Sequence, residues 1–379
     1  MRICLVGHRG DGLLGEPIGG SERQIALLAR NFARRGHDVT MVTSDAGKAD
    51  TRVHGVTLRA AWDPDKGVRW LRAPMYRFPE LRRVLLGIGA DLYYVRGATP
   101  FSWVVTKVGR ELDSPTLMGL SSDRDLDPDA GRVMFSLSGS GLPQRAASHL
   151  AWLAFQRRAL YTADAVIVQN AEQATVCATM RLPHMLIPSI VEEPPAQLLT
   201  LRPAYDAVWI SNVYKNARRS KGVGELAELA EALPNVRFAA VGILTAGSVQ
   251  GDLARLRALD NVELLGRMSH VDTQATIASS RVVVNTSPAE GLSNVMLEGW
   301  ALGKPAVTLT VNPSQLLTEE GLGCCARGDL RVMTGMLRTV LDDDAWLAAT
   351  GRRARDYVRV VHAADPVCER YEHLAAIAP

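Results

Sequence analysis

With 379 residues, 47% of them apolar and 22% charged, the chain has material for two buried cores, because a single core stops growing near about 250–300 residues. A net charge of +3 is too small to argue for nucleic acid. Cys4, Cys177, Cys324, Cys325 and Cys368, odd in number and without CxxC spacing, argue against a disulfide framework or a zinc site. The apolar opening Ile3–Val6 is too short for a signal peptide, and no run approaches the roughly 18 apolar residues of a membrane span, so a reducing cytoplasm is expected.

In chain order, Arg2–Gly7 reads as a buried strand. Gly10, Gly12 and Gly15 then match GxGxxG, the dinucleotide fingerprint. The context argues against that use, since Pro17, Gly19 and Gly20 intervene before the helix. The acid after the second strand, Asp45, also stands 30 residues past Gly15 instead of about 20. Gly19-Gly20-Ser21 directly precedes a helix over Ser21–Arg35, where small residues and free N–H groups suit an anion. Ser21 and Gln24 have the spacing of a capping box, and Ile25, Leu28, Ala29 and Phe32 form one apolar face. Strands follow at Asp38–Thr43, Asp91–Arg96 and Ala163–Gln169, the last of this half. Strands alternating with helices imply a parallel sheet.

Between them, Lys66–Arg83 carries Lys66, Arg69, Arg72, Arg77, Arg82 and Arg83 against one acid, Glu80, with Trp70, Leu71, Met75, Tyr76 and Phe78 interleaved. That mixture marks it as a candidate for peripheral contact with an anionic membrane, although Pro74 and Pro79 interrupt any long amphipathic helix. The run Asp123–Asp129 is acidic, but Pro128 and Met134 stand where a calcium loop needs Gly and Glu, so a solvated loop is expected. Residues 1–190 hold 24 Lys and Arg against 18 Asp and Glu, and the remainder holds 19 against 22, so the basic excess lies in the first half.

Ile187–Pro203, with Pro188, Pro194, Pro195 and Pro203, reads as a linker. The expected domains are therefore residues 1–190, with a C-terminal helix of about 364–379 packing back onto them, and residues 191–363. Second-half strands are expected at Ala207–Ser211, Val236–Val241, Val262–Leu265, Arg281–Thr286 and Ala306–Thr310. A helix is expected at Asn294–Leu302, with helices from Asp329 to the end, broken near Pro366. The fold class is thus α/β, two Rossmann-like doubly wound domains with an interdomain cleft; in such sheets ligands bind outside the carboxyl ends of the strands.

Lys215, Arg218, Arg219 and Lys221 lie after the first strand of the second half, on the ligand side, where they could neutralise a diphosphate. In Ser287–Glu298, a buried strand ends, Gly291 turns, and a helix begins near Ser293. Glu290 then sits at the strand tip, Glu298 on the helix face shared with Asn294, and the N–H groups of Leu292–Val295 suit a phosphate. Carboxylates suit sugar hydroxyls. The eight His residues show no metal spacing; His270 could approach a base.

Glu290 and Glu298 reproduce the E-x7-E element of the retaining family 4 glycosyltransferases, which have the GT-B fold, and the chain resembles that family along its length. Gly19-Gly20-Ser21-Glu22 is similar to its glycine loop, Lys221-Gly222 to its phosphate-binding pair, Ala163–Val168 to its last strand before the linker, and Gly303-Lys304-Pro305 to the turn after the E-x7-E helix. The resemblance implies an α-anomeric nucleotide diphosphate sugar as co-substrate, no other cofactor, transfer with retention and no metal requirement. Glu290 would touch the transferred sugar and Glu298 the ribose. Gly20 and Lys221 would hold the diphosphate, and Arg96, at the strand tip where many members carry a His, is a candidate catalytic residue that could donate to the donor phosphate or sugar. A nucleotide-sugar epimerase or phosphorylase, or a non-catalytic nucleotide-sugar-binding protein, would share the same fold.

Overall fold

The computed structural model describes residues 1–7, 13, 19–44, 51–63, 66–67, 73–127, 142–211, 221–242 and 250–377, with backbone alone for 124 and 142–151. The chain divides into two compact units, one of Met1–Ile190 with Ala364–Pro379, the other of Val191–Ala363.

Unit 1 holds an eight-stranded sheet among the described residues. Its strands are β1 (Arg2–Val6), β2 (Asp38–Thr43), β3 (Thr51–Val53), β4 (Val56–Ala60), β5 (Leu92–Arg96), β6 (Thr116–Gly119), β7 (Ala165–Val168) and β8 (His184–Leu186), in the order β3-β4-β2-β1-β5-β6-β7-β8. All neighbours are parallel except the β3–β4 pair. Strands covered on both faces are apolar throughout, and the period of two sorts their side chains. Cys4, Val6, Tyr93, Val95 and Met118 pack toward α2 (Phe78–Ile88), α3 (Pro100–Glu111) and α4 (Leu142–Thr162). Ile3, Leu5, Met41, Leu92 and Tyr94 pack toward α1 (Gly20–Arg34) and the last helix. The strand expected to end this half is followed by α5 (Ala171–Thr179) and then by the short edge strand β8.

Two expectations at α1 are corrected. The helix begins at Gly20 with Gly19 as N-cap and no side-chain cap, so Ser21 and Gln24 form no capping box. The Gln24 amide instead donates to the Ile190 carbonyl and accepts from the Ile190 N–H, both at 3.0 Å. A buried amide takes the partner that satisfies both its ends, and this one ties α1 to the end of the unit.

Unit 2 holds β9 (Tyr205–Ile210), β10 (Phe238–Val241), β11 (Val262–Gly266), β12 (Ser280–Asn285), β13 (Ala306–Thr308) and β14 (Gly323–Cys325). Their order is β11-β10-β9-β12-β13-β14, and all pairs are parallel. This is the doubly wound 3-2-1-4-5-6 order, in which connections leave β9 and β12 toward opposite faces. The helices are α6 (Val223–Ala232), α7 (Gln250–Arg257), α8 (His270–Ala278), α9 (Asn294–Ala301), α10 (Leu330–Leu341) and α11 (Asp344–Val361).

The final helix, α12 (Ala364–Ile377), belongs to unit 1. The break expected near Pro366 lies earlier, at residues 362–363, and Pro366 sits in the first turn, where its missing N–H leaves no helical bond unmade. Val367, Cys368, Tyr371 and Leu374 recur at helical spacing and are buried against Leu28, Phe32 and Tyr94. Burying such side chains contributes on the order of 1.5–3 kcal/mol each. At the rim the Arg35 fork meets Glu372 through Nε at 2.7 Å and Nη2 at 2.8 Å, and His37 Nε2 lies 2.8 Å from the same carboxylate. The Arg35 guanidinium holds the Glu372 carboxyl down at about 2.

Candidate active site

The sheet order of unit 2 reverses between β9 and β12, which pair directly, with Val284 opposite Trp209. The segments leaving their carboxyl ends end in Lys221-Gly222 before α6 and in Thr286–Ser293 before α9. A hydrogen-bonded chain fastens the two. The Trp209 indole donates to Thr286 Oγ1 at 2.9 Å, and that hydroxyl donates to the Gly222 carbonyl at 2.7 Å. Gly222 caps α6 in the left-handed region, φ 76°, and a Cβ there would collide with the Thr286 carbonyl. Only glycine allows this approach.

The approach brings Lys221 Nζ to 3.2 Å from Glu290 Oε1. Ser287 Oγ donates to the same oxygen at 2.8 Å, and Asn285 Nδ2 lies 3.4 Å from Oε2. Asn285 Oδ1 in turn accepts from the Ser287 N–H at 2.8 Å. Glu290 is thus oriented from three sides, with its side chain 20% exposed and that of Lys221 41% exposed. The ammonium expected to meet a diphosphate and the carboxylate expected to meet a sugar pair with each other here.

Gly291, Leu292 and Ser293 are buried. The Leu292 side chain packs with Met296, Leu297 and Trp300, so this residue can offer a ligand only its backbone. Ser293 is the N-cap of α9 without a side-chain cap bond, and Asn294 opens the helix. The first N–H groups of a helix have no partner within it, which makes this end suited to an anion. Glu298, 13% exposed, lies one turn in, and His270 Nδ1 at the start of α8 stands 3.9 Å from its Oε2. The sequence placed His270 near a base but gave no sign of this pairing, because nothing in the spacing of the two residues links them.

Lys215, Arg218 and Arg219 lie outside the described residues, as do Gly10, Gly12, Gly15, Asp45, Pro128, Asp129 and Met134. Gly19 and Gly20 stand at the amino end of α1 in unit 1, and Arg96 at the carboxyl end of β5, its Nη1 3.4 Å from Tyr94 Oη. Of the basic stretch, Arg69, Trp70, Leu71 and Arg72 are not described. Arg82 pairs with Glu111 and Arg83 with Glu80, while Met75 is exposed. Among the described residues no group of three or more His, Cys, Asp or Glu side chains is placed to hold a metal ion, and no helix is long and apolar enough to cross a membrane.

Residues 19–187 match the sequence family described as "Glycosyl transferase 4-like domain" and residues 206–346 that described as "Glycosyl transferases group 1". No curated protein matches in sequence. Among solved structures, sucrose-phosphate synthase from Thermosynechococcus elongatus aligns at TM-score 0.76 and 20% identity over 99% of this chain and 98% of that one. A mutant of S. aureus TarM, in complex with fondaparinux, α-GlcNAc-glycerol and UDP, aligns at 0.72 and 13% over 99% of each chain. WaaG, a glycosyltransferase involved in lipopolysaccharide biosynthesis, aligns at 0.65 and 17% over 99% of each chain. At these identities the likeness is one of fold, and the fold is consistent with GT-B.

Proposed function

Because the chain carries a glycosyl transferase 4-like domain followed by a glycosyltransferase group 1 domain, we propose that it moves a sugar from a nucleotide diphosphate sugar to a hydroxyl acceptor with retention of configuration. The observation that carries the reading is the pairing of Lys221 with Glu290 beside the α9 amino end, at the reversal point of the unit 2 sheet. A donor diphosphate would draw the Lys221 ammonium away from Glu290 and free the carboxylate for the hydroxyls of the transferred sugar. In the reaction the bond from the anomeric carbon to the diphosphate breaks and the electron pair leaves with the nucleoside diphosphate. A bond to the acceptor oxygen forms, and the hydroxyl proton passes to the departing phosphate.

Lys221 and the first N–H groups of α9 stabilise the charge that grows on the leaving group. Glu298 holds the ribose, with the His270 ring 3.9 Å from its carboxylate, and unit 1 holds the acceptor. The TarM complex supports the donor class by analogy, since that protein carries UDP together with an α-linked glycoside. A thermal-shift panel of UDP-, GDP-, ADP- and dTDP-sugars tests the reading. A donor at 100 times its Kd raises stability by about 2.7 kcal/mol. Proton NMR of the product then reads the anomeric configuration. No stabilisation by any nucleotide sugar, or an inverted product, would overturn it.

A further inference from the structure

Lys221 and Glu290, the two charges on which the donor reading turns, are each other's partner in the folded chain. The carboxylate of this pair is ordered by its own neighbours. Ser287, 3% exposed, donates to Glu290 Oε1 at 2.8 Å, and its Oγ lies 3.4 Å from the Lys221 carbonyl. Asn285, 8% exposed, brings Nδ2 to 3.4 Å from Oε2 while its Oδ1 is held by the Ser287 N–H. Among the described residues no other cation lies within ion-pair distance of Glu290, and no other carboxylate within that distance of Lys221. Two mobile side chains on an open surface lose rotamer freedom when they meet, which leaves most such pairs near zero. Here the carboxylate is already fixed, and it stands where the ammonium reaches it.

A diphosphate and this carboxylate therefore compete for one ammonium. The two ligands of the catalytic cycle meet that competition differently. An intact donor brings a diphosphate for Lys221 and sugar hydroxyls for Glu290, so both charges find new partners. The spent nucleoside diphosphate brings only the first. Its binding leaves a carboxylate that is 20% exposed with Ser287 and Asn285 as its remaining donors, facing a dianionic group nearby. Stripping a partly buried charge of its counter-charge is costly.

We propose that Glu290 has a second role as the internal counter-ion of Lys221, weakening the site for the spent nucleotide. Once the sugar has left for the acceptor, the carboxylate is free to reclaim the ammonium, and the nucleoside diphosphate loses its cation and departs. Product release limits many transferring enzymes, so such a device acts on turnover as well as on affinity. The proposal rests on the glycosyltransferase reading and adds how that site tells the donor from its product.

The test is a double-mutant cycle on the full chain, with folding checked by circular dichroism. Calorimetry measures whichever of UDP, GDP, ADP and dTDP binds the wild type best, against wild type, Glu290→Gln, Lys221→Ala and the double variant. Glu290→Gln should bind that nucleotide about two- to fivefold more tightly than wild type, the range expected of a partly exposed ion pair. Glu290→Ala, which removes the charge with less bulk, should do the same. Most of the gain should vanish when Lys221 is already Ala. A gain of equal size in both backgrounds would mean plain repulsion between the carboxylate and the diphosphate, and would overturn the proposal. Unchanged or weaker binding by both Glu290 variants would also overturn it, because Glu290 would then hold Lys221 in place for the diphosphate; in either case the glycosyltransferase reading stands. Failure of all four nucleotides to bind the wild-type chain overturns both.

Discussion

Substituting Gly222 by Ala probes the joint on which the unit 2 site is built. The residue lies at φ 76° and ψ 31°, where a side chain costs about 1–2 kcal/mol. The new methyl would also meet the Thr286 carbonyl and hydroxyl, whose neighbours Trp209 and Ser287 are buried. Relieving such a collision in a packed interior costs roughly 1–3 kcal/mol more. The sum, on the order of 2–5 kcal/mol, is a large part of the stability of an ordinary domain. For a unit of this size it corresponds to a fall in Tm of roughly 4–20 °C. The relief has one direction, because the Lys221-Gly222 turn must withdraw from the Thr286–Glu290 segment, and Lys221 then leaves Glu290. Scanning calorimetry reads the stability, and titration with the nucleoside diphosphate reads the site. Gly335→Ala in mid-α10 is the control, since a Cβ there meets nothing, and it should raise stability by up to about 1 kcal/mol. If Gly222→Ala unfolds within about 0.5 kcal/mol of wild type and binds nucleotide normally, the close approach does not organise the site as argued.

Four further outcomes are expected. Lys221→Ala should weaken the nucleoside diphosphate about tenfold or more and the free nucleoside hardly at all, as calorimetry would reveal; equal losses would refute the diphosphate role. Glu290→Gln should lower kcat, because its contacts strengthen as charge develops on the sugar, while Glu298→Gln should mainly raise the donor KM; steady-state kinetics on variants checked for folding decides between them. Glu372, lowered from 4.5 to about 2 in the folded chain, contributes stability that is fully present above about pH 5 and lost as pH falls toward 2. Urea unfolding at pH 7, 4 and 3 should therefore show wild type converging on Glu372→Gln from a difference of up to about 3 kcal/mol, an upper limit for a partly exposed pair. Finally, transfer should survive EDTA; loss restored by a divalent cation would show that Lys221 and the α9 amino end do not suffice for the leaving group.

Features carried by short stretches of sequence were the legible ones. Glu290 and Glu298 lie on one strand–turn–helix segment, so their spacing alone implied a strand tip and a helix face. The alternation of buried strands with helices likewise announced two parallel sheets. What escaped depended on partners far along the chain. Ser21 and Gln24 have capping-box chemistry, but Gln24 is taken by the backbone of Ile190, 166 residues away. β8 and β14 are three-residue edge strands, too short for a period of two to register. His270 meets Glu298 where α8 packs on α9, and Tyr371 meets Tyr94 where α12 packs on β5, so both contacts depend on elements from separate parts of the sequence.

The assignment of α12 to the first unit has a consequence for biosynthesis. Unit 1 is interrupted in sequence by all of unit 2, residues 191–363, and cannot close its core until the last helix leaves the ribosome. Unit 2 is continuous and can fold first. At about 5–20 residues per second, the ribosome spends roughly ten to thirty-five seconds on the intervening stretch. During that interval the faces of Leu28, Phe32 and Tyr94 that α12 will cover stand open to water. A nascent chain stalled before Val367 would present an uncovered patch of hydrophobic side chains on α1 and the sheet, the kind of surface that chaperones hold and proteases sample.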